Sequence, residues 1–203
     1  MDLNLSEVLH LARITAAIGL RDEAKLASEL RIALGEGMSP PLIREAILQS
    51  YLFAGYAAAI NAFIVFNRLV PQEEEALQEK KGSLRQWISR GTELCRRIYG
   101  SQYEKLVGNM KSLHPDLADW MVWEGYGKVL SRPFLSPRVR ELLIVCMTAV
   151  LAVERQFVSH VRGALNVGAA PEEVRRVFEE TSHFMDPGAV ERFRAIIKEQ
   201  TRL

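Results

Sequence analysis

Cysteine, aromatic residues and net charge are all scarce in this chain. Its 203 residues include two cysteines and 8% aromatics, and 26 Lys and Arg nearly balance 25 Asp and Glu, leaving a net charge of +1. Cys95 and Cys146 lie far apart and match neither a disulfide framework nor a metal or redox spacing. A chain without excess positive charge lacks the electrostatic attraction that nucleic acids require. We therefore expect no nucleic-acid partner and no bound metal.

Long apolar runs are also missing. The two most apolar stretches, residues 51–66 and 142–153, are shorter than the roughly 20 residues that span a bilayer, and both are predicted to be buried core helices. The first residues of the chain have neither a basic segment nor the cleavage site of a secretory signal. These absences predict a cytoplasmic protein with no membrane partner.

Strand signals are nearly absent, whereas helix starts and stops recur. Ser83 and Ser101 begin sequences with capping-box spacing, and Ser136 places a cap residue before a proline. The chain is therefore predicted to be all-α. Helices are expected at 3–18, 21–35, 40–69, 84–98, 102–112, 116–131, 137–152, 154–167, 171–184 and 187–200.

An internal repeat appears when the chain is shifted by 131 residues. Residues 26–40 then align without a gap with residues 157–171. This match predicts an internal duplication with three parts: a truncated N-terminal helical repeat at 1–70, a charged linker or helix at 71–84, and a nearly complete helical unit at 85–203. The identical positions in the aligned segment are Ser28, Arg31, Ala33, Leu34, Gly37 and Pro40.

Two segments of the second half carry a family resemblance. Residues 123–142 place a Trp and a Gly before Arg-Pro and then a basic Arg-X-Leu helix, and residues 160–168 read His-X-Arg-X-Ala-Leu-X-X-Gly. With the aromatic-Ala-Gly-aromatic turn at residues 53–56, this pattern resembles the carboxymuconolactone decarboxylase family, which is similar in fold to the alkyl hydroperoxidase D-like proteins. The resemblance covers about residues 10–70 and 95–200.

This resemblance implies an alkyl hydroperoxidase D-like helical bundle that works without a metal or organic cofactor. Family members form rings of small subunits, so a chain with two related units implies a homo-oligomer, with a trimer as a pseudo-hexameric ring favoured. The family's redox members carry a Cys-X-X-Cys pair, whose positions fall here on Val153 and Gln156. The resemblance therefore implies no thiol peroxidase activity.

The family's Glu and His positions fall on Glu141 and His160. Glu141 enters an apolar run, where a carboxylate needs a cationic partner or stays protonated; the dipole of its helix is an alternative source of stabilisation. In the 131-residue register Glu141 aligns with His10, and His160 aligns with Glu29, so each copy holds one Glu and one His in reversed order. We expect Glu141 to contact His160, and His10 to contact Glu29.

Decarboxylation of a lactone acid requires a cationic anchor for carboxylates and a proton donor for the carbon that keeps the electrons. His160 is the predicted donor, with Glu141 setting its tautomer. Guanidinium groups hold carboxylates bidentately, and a tryptophan serves as a pocket wall, although surface arginines and core tryptophans are common. The predicted substrate-binding residues are Arg132, Arg140, Arg155 and Trp123.

These residues predict a cofactor-independent decarboxylase or lyase acting on a small lactone or carboxylic acid. The second copy has Phe184-Met185-Asp186 in place of the aromatic-Ala-Gly-aromatic turn, so its site needs the turn of the first copy or of a neighbouring subunit. That loss, together with the missing cysteine pair, keeps a second interpretation open. The alternative is a non-catalytic helical oligomer or small-molecule-binding protein descended from the same family.

Overall fold

The computed structural model describes residues 2–70 and 82–201, and all regular structure in these residues is helical, with no strand. The predicted all-α class is therefore confirmed. Most of the predicted linker, residues 71–81, lies outside the described residues. The helices are α1 Leu5–Leu20, α2 Glu23–Gly35, α3 Pro40–Ala54, α4 Tyr56–Asn67, α5 Leu84–Tyr99, α6 Tyr103–Leu113, α7 Pro115–Trp120, a π-helix Met121–Leu130, α8 Pro137–Val150, α9 Glu154–Asn166, α10 Pro171–Ser182 and α11 Pro187–Gln200.

The chain divides into two compact units that do not follow its order. The main unit combines Met1–Leu77 with Phe134–Leu203, and the small unit is Gln78–Pro133. The segment 85–203, expected to form one helical unit, is thereby spread over both. α1 to α4 and α8 to α11 belong to the main unit, whereas α5 to α7 and the π-helix belong to the small unit.

The main unit is built around α1 and α8, which pack against each other. α3 and α10 each contact both central helices, α2 packs on α1, and α9 packs on α8. Their apolar side chains form one continuous buried core, whose removal from water stabilises the unit. At the crossing of the central helices, a Cβ on Gly19 would come within 2.9 Å of the Met147 Sδ. The absence of a side chain at Gly19 therefore lets α1 and α8 approach closely.

The main-unit helices form two series, α1 to α4 and α8 to α11, whose limits correspond at a spacing of 131 residues. α2 and α9 correspond at both ends, and α3 and α4 begin at positions equivalent to the starts of α10 and α11. Left-handed backbone conformations also correspond, with φ of 59° at Arg21 and 56° at Ala152, and 84° at Gly37 and 97° at Gly168. Each pair ends equivalent helices at equivalent residues.

Two predicted helices differ from the observed ones. The helix expected at 40–69 is divided at Gly55, whose φ of +86° interrupts the helical path and separates α3 from α4. The helix expected at 116–131 is α7 followed by a π-helix, Met121–Leu130. No helix in the described part of the chain has the length and apolar character needed to cross a membrane.

The small unit depends on close backbone contact between α5 and the π-helix. A Cβ on Gly127 would overlap the carbonyl oxygen of Trp87, and one on Gly91 would overlap that of Val122. Trp87 and Trp123 stack beside this contact with ring centroids 6.3 Å apart. Glycine is therefore required at both positions by the approach of the two helices.

We predict that Gly127→Ala destabilises the small unit by more than about 2 kcal/mol, because its methyl group would force two backbones apart. Gly125→Ala is the matched control, since a Cβ at Gly125 meets no atom within 4 Å. Urea unfolding followed by tryptophan fluorescence measures the effect. All three tryptophans of the chain lie in the small unit, so fluorescence reports on this unit. Equal midpoints for the two variants would contradict the prediction.

Candidate functional site

Glu141 and His160 form a buried hydrogen-bonded pair in the main unit. Glu141 lies on α8 and His160 on α9, and the Nδ1 of His160 is 2.8 Å from the Oε2 of Glu141. The two residues are only 1% and 5% exposed. The contact expected from the sequence is confirmed. Its distance lies in the normal range of an N–H···O hydrogen bond.

The hydrogen bond determines how His160 presents its second ring nitrogen. A carboxylate only accepts hydrogen bonds, so it holds the proton of the imidazole on Nδ1. Among the described residues, Nε2 has no hydrogen-bond partner. The contact with Glu141 therefore accounts for one ring nitrogen of His160 and leaves the other without a hydrogen-bond partner in the described part of the chain.

Glu141 has an uncommitted atom of its own. Its Oε1 is buried and has no hydrogen-bond partner among the described residues. A buried acceptor without a donor carries a desolvation cost of about 1–3 kcal/mol. A water molecule or a donor group of a bound substrate would remove this cost, so the pair has an unsatisfied acceptor as well as an unengaged ring nitrogen.

Phe53 packs against the ring of His160. This residue is near the end of α3, in the first series of helices, and its ring meets the His160 ring edge-on with centroids 5.5 Å apart. Phe53 begins the aromatic-Ala-Gly-aromatic sequence that ends α3 at Gly55. A residue of the first series therefore contacts His160 of the second series within one chain.

Arg140, predicted to bind substrate, is already engaged inside the protein. It is 1% exposed, and its guanidinium lies 3.1 Å from the Oε2 of Glu45 and 3.0 Å from the Oε1 of Gln49. Both partners belong to α3, the helix that carries Phe53. The observed role of Arg140 is therefore to connect α8 to α3, next to the Glu141–His160 pair.

The other predicted substrate-binding residues are not brought to His160 by contacts in the main unit. Arg155 is on α9 and exposed, and it has no ion pair among the described residues. Arg132 and Trp123 belong to the small unit, where Trp123 stacks on Trp87. Within the main unit, Glu141 and His160 are the predicted catalytic residues, and their contact is observed.

The predicted contact between His10 and Glu29 is wrong. Arg13 lies between them, with its Nε 3.2 Å from the Oε2 of Glu29 and its Nη2 2.8 Å from the Nδ1 of His10. The Nε2 of His10 is 3.1 Å from the Oε2 of Glu36. Both nitrogens of His10 are thus bound by charged side chains.

Arg13 explains why the two series differ. It is three residues after His10, on the same face of α1, and it also pairs with Glu180 of α10. The position 131 residues later is Ile144, which has no polar group to insert between Glu141 and His160. Sequence reasoning missed Arg13, although comparing Arg13 with Ile144 in the repeat alignment provides the signal.

Neither cysteine is exposed for thiol chemistry. Cys95 and Cys146 are both fully buried, and burial raises the pKa of the Cys146 thiol to about 12. A thiol with such a pKa stays protonated near neutral pH and is a poor nucleophile. Within residues 2–70 and 82–201, no three His, Cys, Asp or Glu side chains converge as metal ligands.

We predict that Ellman's reagent labels neither cysteine of the native protein at pH 8, because both are buried and the Cys146 thiol stays protonated below its pKa of about 12. Two thiols per chain are expected to react after unfolding in urea, which is the internal control. Rapid labelling of one thiol in the native protein would contradict this prediction.

The comparisons with known proteins give one informative relative. No model of a known protein family matches the chain. The chain is 30% identical over 152 residues to "Peroxisomal protein 2" of Schizosaccharomyces pombe (strain 972 / ATCC 24843), and the alignment covers 73% of this chain and 70% of that protein. This chain therefore belongs to the same family as Peroxisomal protein 2 of Schizosaccharomyces pombe.

Proposed function

We propose that this protein is a cofactor-independent carboxy-lyase, similar to carboxymuconolactone decarboxylase, that acts on a small lactone or carboxylic acid. One observation carries the proposal. A buried histidine, His160, is hydrogen-bonded through Nδ1 to Glu141, and its Nε2 has no hydrogen-bond partner among the described residues. This arrangement is suited to general acid–base catalysis, in which a positioned side chain transfers a proton to a reacting atom.

The proposed reaction needs one proton and no redox change. The bond between the substrate carbon and its carboxylate breaks, carbon dioxide leaves, and the electron pair stays on the carbon in conjugation with the lactone carbonyl. The imidazolium of His160 then donates its Nε2 proton to the carbon or to the conjugated oxygen. Glu141 stabilises the imidazolium through the 2.8 Å hydrogen bond, and solvent restores the proton. His160 is the proposed catalytic residue, and Glu141 is a positioning residue.

The proposed reaction also needs a cationic side chain that binds the carboxylate of the substrate. Of the two predicted arginines in the main unit, Arg140 is bound by Glu45 and Gln49, whereas Arg155 is exposed and unpaired among the described residues. We therefore propose Arg155, on the same helix as His160, as the first contact for an anionic substrate. The roles predicted for Arg132 and Trp123 stay predictions.

The test is a panel of lactones and dicarboxylic acids, followed by loss of ultraviolet absorbance and release of carbon dioxide. For a responsive substrate, His160→Gln is expected to lower kcat by about 10²–10⁴, the usual contribution of general acid–base catalysis. His10→Gln is the matched control, because His10 is also buried but both its nitrogens are bound by the protein. Unchanged kcat in His160→Gln, with His10→Gln also unchanged, would exclude His160 as the donor.

Glu141→Gln tests the positioning role separately. A glutamine keeps the side-chain size but cannot balance the imidazolium charge, so kcat is expected to fall and its pH profile to move to lower pH, with KM nearly unchanged. A purely structural role would change stability while leaving the pH profile in place. Urea unfolding of the same variant separates the two effects.

The low exposure of the pair favours a second candidate function. With Glu141 and His160 only 1% and 5% exposed, the pair is also suited to holding α8 and α9 together in a non-catalytic oligomer or small-molecule-binding protein. The same panel distinguishes the candidates. If calorimetry detects binding of a compound but none of the compounds tested releases carbon dioxide, the result would support this second function over the lyase.

We also propose that the main unit arose by duplication of an alkyl hydroperoxidase D-like unit and assembles as a homo-trimer. The matching helix limits and φ values of the two series support the duplication. An exposed apolar stripe on α4 supports assembly with other copies, because α4 has no charged residue and such surfaces are typical of interfaces. The stripe consists of Tyr56, Ile60 and Ile64, which are 63%, 55% and 46% exposed.

Light scattering after gel filtration tests this assembly. The wild-type protein is expected at about three times the chain mass of 22.9 kDa. Ile60→Glu is expected to shift it towards monomer, since it places a charge in the apolar stripe. Ile32→Glu is the control, because Ile32 is similarly exposed, at 43%, on a different helix. A wild-type monomer, or equal dissociation by both variants, would contradict the proposal.

Location in the cell stays a prediction. The sequence alone predicts the cytoplasm, whereas the relative from Schizosaccharomyces pombe is named for the peroxisome. Imaging a tagged full-length chain beside markers for both compartments distinguishes the two. The compartment matters for function because it determines which carboxylic acids and lactones the protein meets.

A further inference from the structure

The main unit contains an apolar pocket away from the Glu141–His160 pair. It has a volume of about 140 Å³ and lies where the end of α1, the start of α2 and the first turns of α4 meet. Small side chains leave this space open, so we call it the alanine pocket. Its apolar lining consists of Ala17, Ile18, Leu26, Ala57, Ala58 and Ala62.

The equivalent place in the second series of helices is filled. At the 131-residue spacing, Leu26 corresponds to Phe157 and Ala62 corresponds to Phe193. Both phenylalanines are fully buried, and their rings pack edge to face with centroids 4.7 Å apart. The alanine pocket therefore lies beside Ala62, at the position where the second series has the ring of Phe193.

The residues at the mouth of the pocket also differ between the two series, and the first series again lacks an interaction that the second has. In the second series Arg192 of α11 forms an ion pair with Glu154 of α9, with 3.4 Å between Nε and Oε1. In the first series Glu23 is retained, but the position equivalent to Arg192 is Asn61, which cannot form this ion pair. Both the interior ring and the ion pair across the mouth are thus missing from the first series.

The size and lining of the pocket indicate the chemistry of its ligand. An enclosed apolar cavity of about 150 Å³ binds benzene or xenon, and the alanine pocket has a similar volume but is open to solvent on one side. Alanine, leucine and isoleucine form the inner wall of the alanine pocket, whereas the exposed residues Arg21, Asp22, Glu23 and Asn61 lie at its open side. An apolar group therefore gains by covering the inner wall while a polar part of the same molecule stays in water. We propose that the alanine pocket binds a hydrocarbon group of about the size of a phenyl ring, carried by a small molecule. This site is additional to the proposed lyase site.

Benzene is the probe for this proposal, used with the full-length protein. The wild-type melting temperature is expected to rise with benzene concentration and then level off, because a ligand that binds only the folded state stabilises it. Ala62→Phe rebuilds the ring of the second series and is expected to abolish this rise. Asn61→Arg, which restores the cation opposite Glu23, is expected to weaken binding without filling the interior.

Phe193→Ala provides the reciprocal test, since it opens the equivalent space in the second series. This variant is expected to bind two benzene molecules where the wild type binds one. Xenon-pressurised crystals locate the sites directly and also serve if Ala62→Phe or Phe193→Ala folds poorly. Leu26→Phe is then the alternative filling variant, because it introduces the other second-series ring.

Three outcomes would overturn the proposal. The first is the absence of benzene binding and of a xenon peak in the wild-type pocket. The second is equal benzene binding by the wild type, Ala62→Phe and Leu26→Phe. The third is a crystal in which a side chain of a second copy fills the pocket, since the occupant would then be the protein itself. None of these outcomes involves His160, so the proposed lyase activity is tested independently.

Discussion

The close packing of α1 against α8 is the constraint on which the main unit depends. Gly19 allows this approach, because any side chain there would meet Met147. With the two central helices in contact, α3 and α10 each lie against both of them. This sharing brings Phe53, near the end of α3, to the ring of His160 on α9. The pair formed by Glu141 and His160 of the second series is therefore contacted by a residue of the first series.

Buried charge has been satisfied in two different ways in the two series. In the second, Glu141 bonds directly to His160, and in the first, Arg13 separates His10 from Glu29 and binds both. A buried ionised group is costly unless it is paired, and both the arginine of the first series and the direct contact of the second supply such a partner. In residues 2–70 and 82–201, only the direct contact leaves a ring nitrogen without a hydrogen-bond partner. One position, arginine in the first series and isoleucine in the second, thus separates a structural network from a candidate catalytic pair.

The two series also divide their volume differently. The second series fills its interior with the rings of Phe157 and Phe193, and its histidine on α9, His160, is hydrogen-bonded to Glu141 through one ring nitrogen. In the first series both ring nitrogens of His10 are hydrogen-bonded, and the alanine pocket lies beside α4. A duplication, as we propose, would permit such divergence, because each copy would keep the shared helix packing while losing or gaining a site. The proposed lyase function and the proposed hydrocarbon site therefore lie in different series of one unit.

Local rules in the sequence determined the helical class, most helix limits, the 131-residue correspondence and the Glu141–His160 contact between adjacent helices. Capping, periodicity and glycine placement act over a few residues, so they can be read without a fold. Tertiary structure decided the rest. Arg140 has its partners on α3, more than 90 residues away, and Arg13 pairs with Glu180 on α10. Packing alone brings together the side chains that decide which charged group binds a histidine. It also decides whether a space between helices is filled.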